Sequence, residues 1–165
     1  MVRVQRTRYA GVFVTTWGEY ILSRDTEFFD FIVFDLPPTM TDEIKRIIAH
    51  CDVMFIPTIL GKFEGDGLIG VSQEVKKLGT KLGGIFATMY SEKTDCDKLM
   101  EYYELLGYRV MDTIIPYSQT VRESQKAELP LEEYFNNRSV PKTRVSRKVV
   151  IAYEKLTREI LRRCR

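Results

Sequence analysis

The chain has 165 residues, 44% of them hydrophobic and 29% charged, the balance of one globular domain large enough to bury a core, which excludes a disordered or fibrous polymer. No apolar run approaches the roughly 20 residues of a membrane-spanning helix, and the first residues lack the apolar stretch of a signal peptide. Net charge is only +2 but uneven: residues 136–165 hold ten Lys and Arg against Glu154 and Glu159, a local +8 that leaves −6 on the other 135 residues.

In chain order, residues 1–8 carry Arg3, Arg6 and Arg8 without periodicity and read as a polar lead-in. Residues 9–16, rich in β-branched and aromatic side chains, predict a strand, and residues 18–28 a short helix. Phe31-Ile32-Val33-Phe34-Asp35 follows. Its continuous apolar run reads as a strand buried on both faces, stopped by Pro37 and Pro38 because proline gives a ladder no donor. Asp35 is thereby expected at the carboxyl edge of a parallel sheet, where open α/β folds bind ligands. A plain strand-ending residue that caps the next turn fits the same position. Thr39 or Thr41 then caps a helix with Ile44, Ile47, Ile48 and Cys51 at i, i+3, i+4, i+7. His50 comes late in that helix, as a solvated residue or one at the negative end of its dipole.

Residues 53–57 predict a second buried strand, again stopped by proline. Residues 61–67 read as a loop and 68–78 as an amphipathic helix through Leu68, Val71, Val75 and Leu78. Residues 82–89 predict a third strand. Thr94 or Asp95 caps a helix that turns Leu99, Tyr102, Tyr103 and Leu106 inward and ends at Gly107. Residues 109–115 predict a fourth strand closed by Pro116, and 119–128 a short polar helix ended by Leu129-Pro130-Leu131. Residues 136–145 have linker composition. Residues 146–163 form a last helix with the apolar stripe Val149, Tyr153, Leu156 and Ile160.

Strands alternating with helices make βαβ units, so the expected class is α/β: a mostly parallel sheet with helices on both faces. The expected division is an α/β body over 1–135 and a basic linker and helix over 136–165 packed on the same domain. Cys51, Cys96 and Cys164 are odd in number and lack C-x-x-C spacing, which points to a reducing cytosol and away from a disulfide framework or zinc site. A single histidine removes His-based metal clusters and counts against a Ser-His-Asp triad. The basic tail suits an anionic partner or a solvated helix face.

Asp35-Leu36-Pro37-Pro38 resembles the D-x-P-P Walker B region of the ParA/MinD group of deviant P-loop ATPases. The likeness continues in Ala49-His50-Cys51-Asp52-Val53-Met54-Phe55-Ile56-Pro57, similar to that group's A-D-x-hhh-P strand, and in Lys62-Phe63-Glu64-Gly65-Asp66-Gly67-Leu68 after it. Residues 84–94 (GIFATMYSEKT) are similar to its G-hhh-T-M-Y-D-x-R-T segment. Ile115-Pro116, Glu123 and Leu129-Pro130-Leu131 resemble its I-P-R-N…S-E-A…G-K-P-I ending. These motifs stand in family order over residues 9–135, and the nearest branch is the ParA-type plasmid and chromosome partition proteins. The departures are specific. No G-x-x-x-x-G-K-[ST] run occurs in these residues, and such a loop supplies the backbone N–H groups and lysine that neutralise the β- and γ-phosphates.

The resemblance implies a P-loop NTPase-like scaffold without its N-terminal Walker A region, acting in DNA segregation with ATP and Mg²⁺. Asp35 is implied as the Walker B carboxylate, catalytic and Mg²⁺-holding. Met89 and Pro116 match positions that flank the adenine. Tyr117 stands where the family has an arginine. Non-specific DNA binding is implied at Lys93, at Arg122 (Thr120 being the aligned residue), and at Arg144, Arg147 and Lys148 in the tail. The implied partners are DNA, a ParB-like centromere-binding protein, and a second or full-length ParA-type subunit. The implied location is the cytoplasm, on the nucleoid. Two readings of the chain stand side by side: part of a split or truncated partition ATPase, or a non-catalytic relative that binds DNA or caps a full-length subunit. A MinD-like membrane helix wants bulkier residues than Val149, Tyr153, Leu156 and Ile160. A receiver-like phosphoacceptor role for Asp35 lacks the acidic cluster that would hold Mg²⁺.

Overall fold

The structure is a computed structural model that describes residues 5–6, 13–14, 29–59, 64–91 and 96–164. It divides into two compact units, Met1–Ile47 and Ile48–Arg165. The helix expected over 18–28, the caps at Thr94 and Asp95, and Lys93 lie outside the described residues.

In the first unit β1 (Gln5–Arg6) pairs antiparallel with β2 (Phe13–Val14), Gln5 opposite Val14 and Arg6 opposite Phe13. β2 lies inside the strand expected at 9–16, whereas β1 falls in the expected lead-in. The strand expected over 31–35 is not formed. Phe31 and Val33 are 59% and 87% exposed, and none of residues 31–35 is part of a strand. After them, the Pro37 carbonyl accepts the Thr39 N–H at 2.7 Å. α1 (Asp42–Ala49) then starts as the sequence expects. The Thr41 hydroxyl accepts the Ile44 N–H at 3.3 Å, Asp42 and Glu43 sit in the positive first turn, and Ile44, Ile47 and Ile48 are buried. His50 follows the helix, exposed.

The second unit is built on β3 (Val53–Ile59) and β4 (Lys81–Thr88), paired parallel with Ile56 opposite Ile85 and Thr58 opposite Ala87. The crossover between them is α2 (Glu64–Lys77), which begins four residues earlier than expected. β3 runs through Pro57 to Ile59, past the expected stop, and pairs with β4 alone among the described strands. On an edge strand a missing N–H removes no ladder bond when it faces outward. Gly83 permits the close packing of the pair, since a Cβ there would lie 2.6 Å from the Phe55 ring.

The fourth expected strand, over 109–115, is reduced to a bridge of Val110 with Ile85. Met111 N–H donates to the Ile85 carbonyl at 2.8 Å and Ile115 N–H to the Ala87 carbonyl at 2.8 Å. Between them the Asp112 and Thr113 amides turn away to a side chain, the Glu159 carboxylate, so the ladder breaks. α3 (Cys96–Leu105) ends at Gly107, whose φ of 82° is the left-handed conformation of a helix stop. α4 (Gln119–Lys126), α5 (Leu131–Asn136) and α6 (Arg144–Arg163) complete the unit. α5 is a helix where the sequence suggests only an ending.

Strand alternation sorts the core into two layers. Ile56, Ile85, Ala87 and Val110 pack with Leu68 of α2 and Tyr103 of α3. Met111 and Ile115, with Phe55 and Phe86 from the opposite sheet face, pack against Val149, Ala152 and Leu156 of α6. Helices therefore cover both faces of a parallel sheet, the α/β class expected. Two helix stripes need correction. Tyr102 of α3 and Leu106 just after it are 50% and 44% exposed while Tyr103 is buried. Tyr153 of α6 also points outward, and Ala152 and Glu159 take its place on the buried side.

Candidate functional site

The basic tail is held by a well-formed cap. Thr143 ends the linker in an extended conformation, and its hydroxyl oxygen accepts the Ser146 N–H at 3.0 Å. The buried Ser146 hydroxyl donates to the Thr143 carbonyl at 2.9 Å. This fixes the first turn and a half of α6, which presents Arg144, Arg147 and Lys148, all exposed. Arg144 and Lys148 are four residues apart and share a face, and the helix dipole adds positive potential at this end. Arg122, on α4, donates to the Tyr117 hydroxyl at 3.3 Å.

Lys148 also opens a groove that sequence reading does not single out. Farther down α6, Lys155, Arg158 and Arg162 line an open groove of about 760 Å³ with Ile151, facing Asp112 and Ile114. The signal is present in the sequence as positions i, i+7, i+10 and i+14 from Lys148, one stripe of a helix. The floor of the groove is held by a buried ion pair. Arg163 donates to Glu159 at 2.7 Å, with side chains 12% and 4% exposed. Arg163 also donates to the Gly83 carbonyl at 3.0 Å, passing over Gly84, where a Cβ would lie 2.9 Å from its guanidinium. Glu159 accepts the backbone N–H groups of Asp112 and Thr113 at 3.0 and 3.1 Å. Burial works to raise its pKa, but the hydrogen bonds from Thr113, Asp112 and Arg163 prevail and hold the carboxyl below its ordinary value. The pair ties the end of α6 to β4 and to the broken strand.

The residues that the resemblance implies on the nucleotide side fall in different units. Asp35 is exposed in the first. In the second, Met89 follows β4 with a φ of 55° and is 55% exposed, and Pro116 bridges Tyr90, the next residue after it. Among the described residues no group of three His, Cys, Asp or Glu stands together to hold a metal. Asp35 thus offers a single carboxylate, and Mg²⁺ held that way takes phosphate oxygens and water as its other ligands. Cys51 is half-buried, and burial with the nearby Asp52 charge pushes its thiol up, away from nucleophilic chemistry. No helix among the described residues is long and apolar enough to cross a membrane.

No family model matches the chain. Over 151 residues it is 30% identical to the chromosome-partitioning ATPase Soj of Treponema pallidum, an alignment that takes in 87% of this chain and 56% of that protein. The chain therefore spans about half the length of the curated relative it matches. Sequence and fold agree: this α/β chain is a relative of the ParA-type chromosome-partitioning ATPases.

Proposed function

We propose that the chain acts in DNA segregation as a ParA-type protein that holds DNA without sequence preference. The alignment with a chromosome-partitioning ATPase over most of the chain carries this reading. The basic first turns of α6 support it. Clustered cations on a capped helix end suffice for phosphate contacts with counterion release, and no base-reading group is required. Arg144, Arg147 and Lys148 are the assigned DNA contacts, with Arg122 and Lys93 as outlying ones. Work on the nucleoid in the cytoplasm, with a ParB-like centromere-binding partner and a second ParA-type subunit, belongs to the same reading.

Asp35 is assigned the Walker B role, orienting Mg²⁺ through water, with Met89 and Pro116 beside the adenine. When bound, MgATP would supply the phosphoryl group that is cleaved. The chain's part is to position the ion at Asp35, and the phosphate-cradling loop would come from residues other than these 165. The absence of a G-x-x-x-x-G-K-[ST] run from the sequence favours a second reading alongside this one, a DNA-binding or subunit-capping module with no catalysis of its own.

Fluorescence anisotropy with two duplexes of unrelated sequence tests the DNA assignment. The expected result is similar affinity for both, and a matching loss on both when Arg144, Arg147 and Lys148 are changed to Ala. Unchanged affinity in that variant overturns it. Calorimetry with MgATP separates the nucleotide readings: heat that Asp35→Ala abolishes supports the catalytic assignment, and none supports the module.

A further inference from the structure

The groove on α6 and the outer face of α3 are matched in chemistry, and the fold prevents them from meeting within one molecule. α3 exposes Leu105 at 81% and Tyr102 at 50%, flanked by the exposed carboxylates Glu101 and Glu104. Two large apolar groups left in water beside acidic ones form an unpartnered amphipathic face. The α6 groove is its complement: Ile151, 49% exposed, lies among Lys148, Lys155, Arg158 and Arg162. Of the two carboxylates in the groove, Glu159 is already neutralised by Arg163, which leaves Asp112 against Lys155, Arg158 and Arg162. Among the described residues Arg158 has a loose 3.7 Å pair with the exposed Glu154, which contributes little.

A phosphate backbone would satisfy the cations and gain nothing from Ile151 and Ile114. An acidic helix face with apolar residues satisfies both. The chain presents such a face on α3. Tyr103 anchors α3 to one side of the sheet, and Val149, Ala152 and Leu156 anchor α6 to the other, so their outward faces point in opposite directions.

We propose that the outer face of α3 docks into the α6 groove of a second copy of the chain, Glu101 and Glu104 against Lys155 and Arg158, with Leu105 over Ile151. The contact is heterologous. Each copy keeps a free groove at one end and a free helix at the other, so association propagates into rings or open chains. It needs neither nucleotide nor DNA, and of the three assigned DNA contacts on α6 it shares Lys148, which lines the groove, and leaves Arg144 and Arg147 clear.

Sedimentation velocity of the 165-residue chain, without DNA or nucleotide, is the test. The expected wild-type result is concentration-dependent self-association that weakens from about 50 to about 200 mM salt, as exposed charge pairs are screened. Two exposed charge-reversal variants are then compared, Glu101→Lys with Glu104→Lys, and Lys155→Glu with Arg158→Glu. Each alone is expected to lose association by about a hundredfold or more, like charges being set face to face. Mixed in equal amounts the two variants are expected to associate again, because the basic α3 of one meets the acidic groove of the other. A monomeric wild type overturns the proposal, as does a variant that associates alone like wild type, or a mixture that stays monomeric. So does a Lys155→Glu, Arg158→Glu variant that loses DNA affinity and keeps its self-association.

Discussion

Changing Glu159 to Gln removes one charge from a site where the carboxylate accepts a 2.7 Å bond from Arg163 and two backbone bonds, from Asp112 at 3.0 Å and Thr113 at 3.1 Å. The carboxylate has acceptors on both oxygens. A carboxamide has one oxygen: at the Oε1 place it still serves Arg163 and Asp112 and strands the Thr113 N–H, and turned the other way it strands both Arg163 and Asp112. Hydrogen bonds to charged groups contribute about 1.5–3 kcal/mol each, and removing one partner of a buried ion pair costs about 3–5 kcal/mol because the other charge remains. With Glu159 only 4% exposed on its side chain, solvent does little to soften this. The expected loss is about 3 kcal/mol, read in urea unfolding as a midpoint lowered by about 1–2 M. Arg163→Met is expected to cost a similar amount, and the two changes together less than their sum, since either alone strands the other. A Glu159→Gln chain within about 0.5 kcal/mol of wild type would refute the clamp, that being the scatter of ordinary surface changes.

The same carboxylate sets an acid response. Its folded pKa lies below the ordinary value, so its stabilisation is complete above about pH 4.3 and is lost as pH falls through the folded pKa. The stability gap between wild type and Glu159→Gln should therefore close in acid and stay flat from pH 5 to 7 in a pH series of urea melts. Among the described residues Ser72 carries a buried hydroxyl with no hydrogen-bond partner. Ser72→Ala is expected to leave stability unchanged or raise it by about 1 kcal/mol, and a clear loss in the melt would reveal a partner for the hydroxyl. Gly84→Ala is expected to cost about 1–3 kcal/mol, because its Cβ would lie 2.8 Å from Met111 and 2.9 Å from the Arg163 guanidinium. Thermal unfolding reads that loss, and Arg163→Met should relieve part of it.

The parts of the fold legible in the sequence are those whose signals are local. α1 carries Ile44, Ile47 and Ile48 at helical spacing behind Thr41, and it forms at that place. The α6 helix begins two residues before Ser146, at a threonine cap. The run Phe31–Phe34 misleads because continuous hydrophobicity specifies a strand only when a neighbour completes the ladder. Pro57 misleads in the other direction, since proline stops a central strand and is tolerated on an edge one. Glu159 reads as one more charge in a basic tail. Its spacing of three from Leu156 and four to Arg163 places both ionic groups on the buried side of α6, a pattern visible on the helix before any coordinates. The break it causes between Val110 and Ile115 depends on contacts 46 and 47 residues apart, which no local window contains.

The salt dependence of DNA binding tests the account most directly, because it counts phosphate contacts without reference to sequence. In a plot of log affinity against log salt each contact contributes a slope of about −0.9. Changing Arg144, Arg147 and Lys148 to Ala should therefore make the slope shallower by about 2.7 on any duplex. A slope that the three changes leave as steep as in wild type would place the DNA elsewhere and contradict the assignment of the α6 helix.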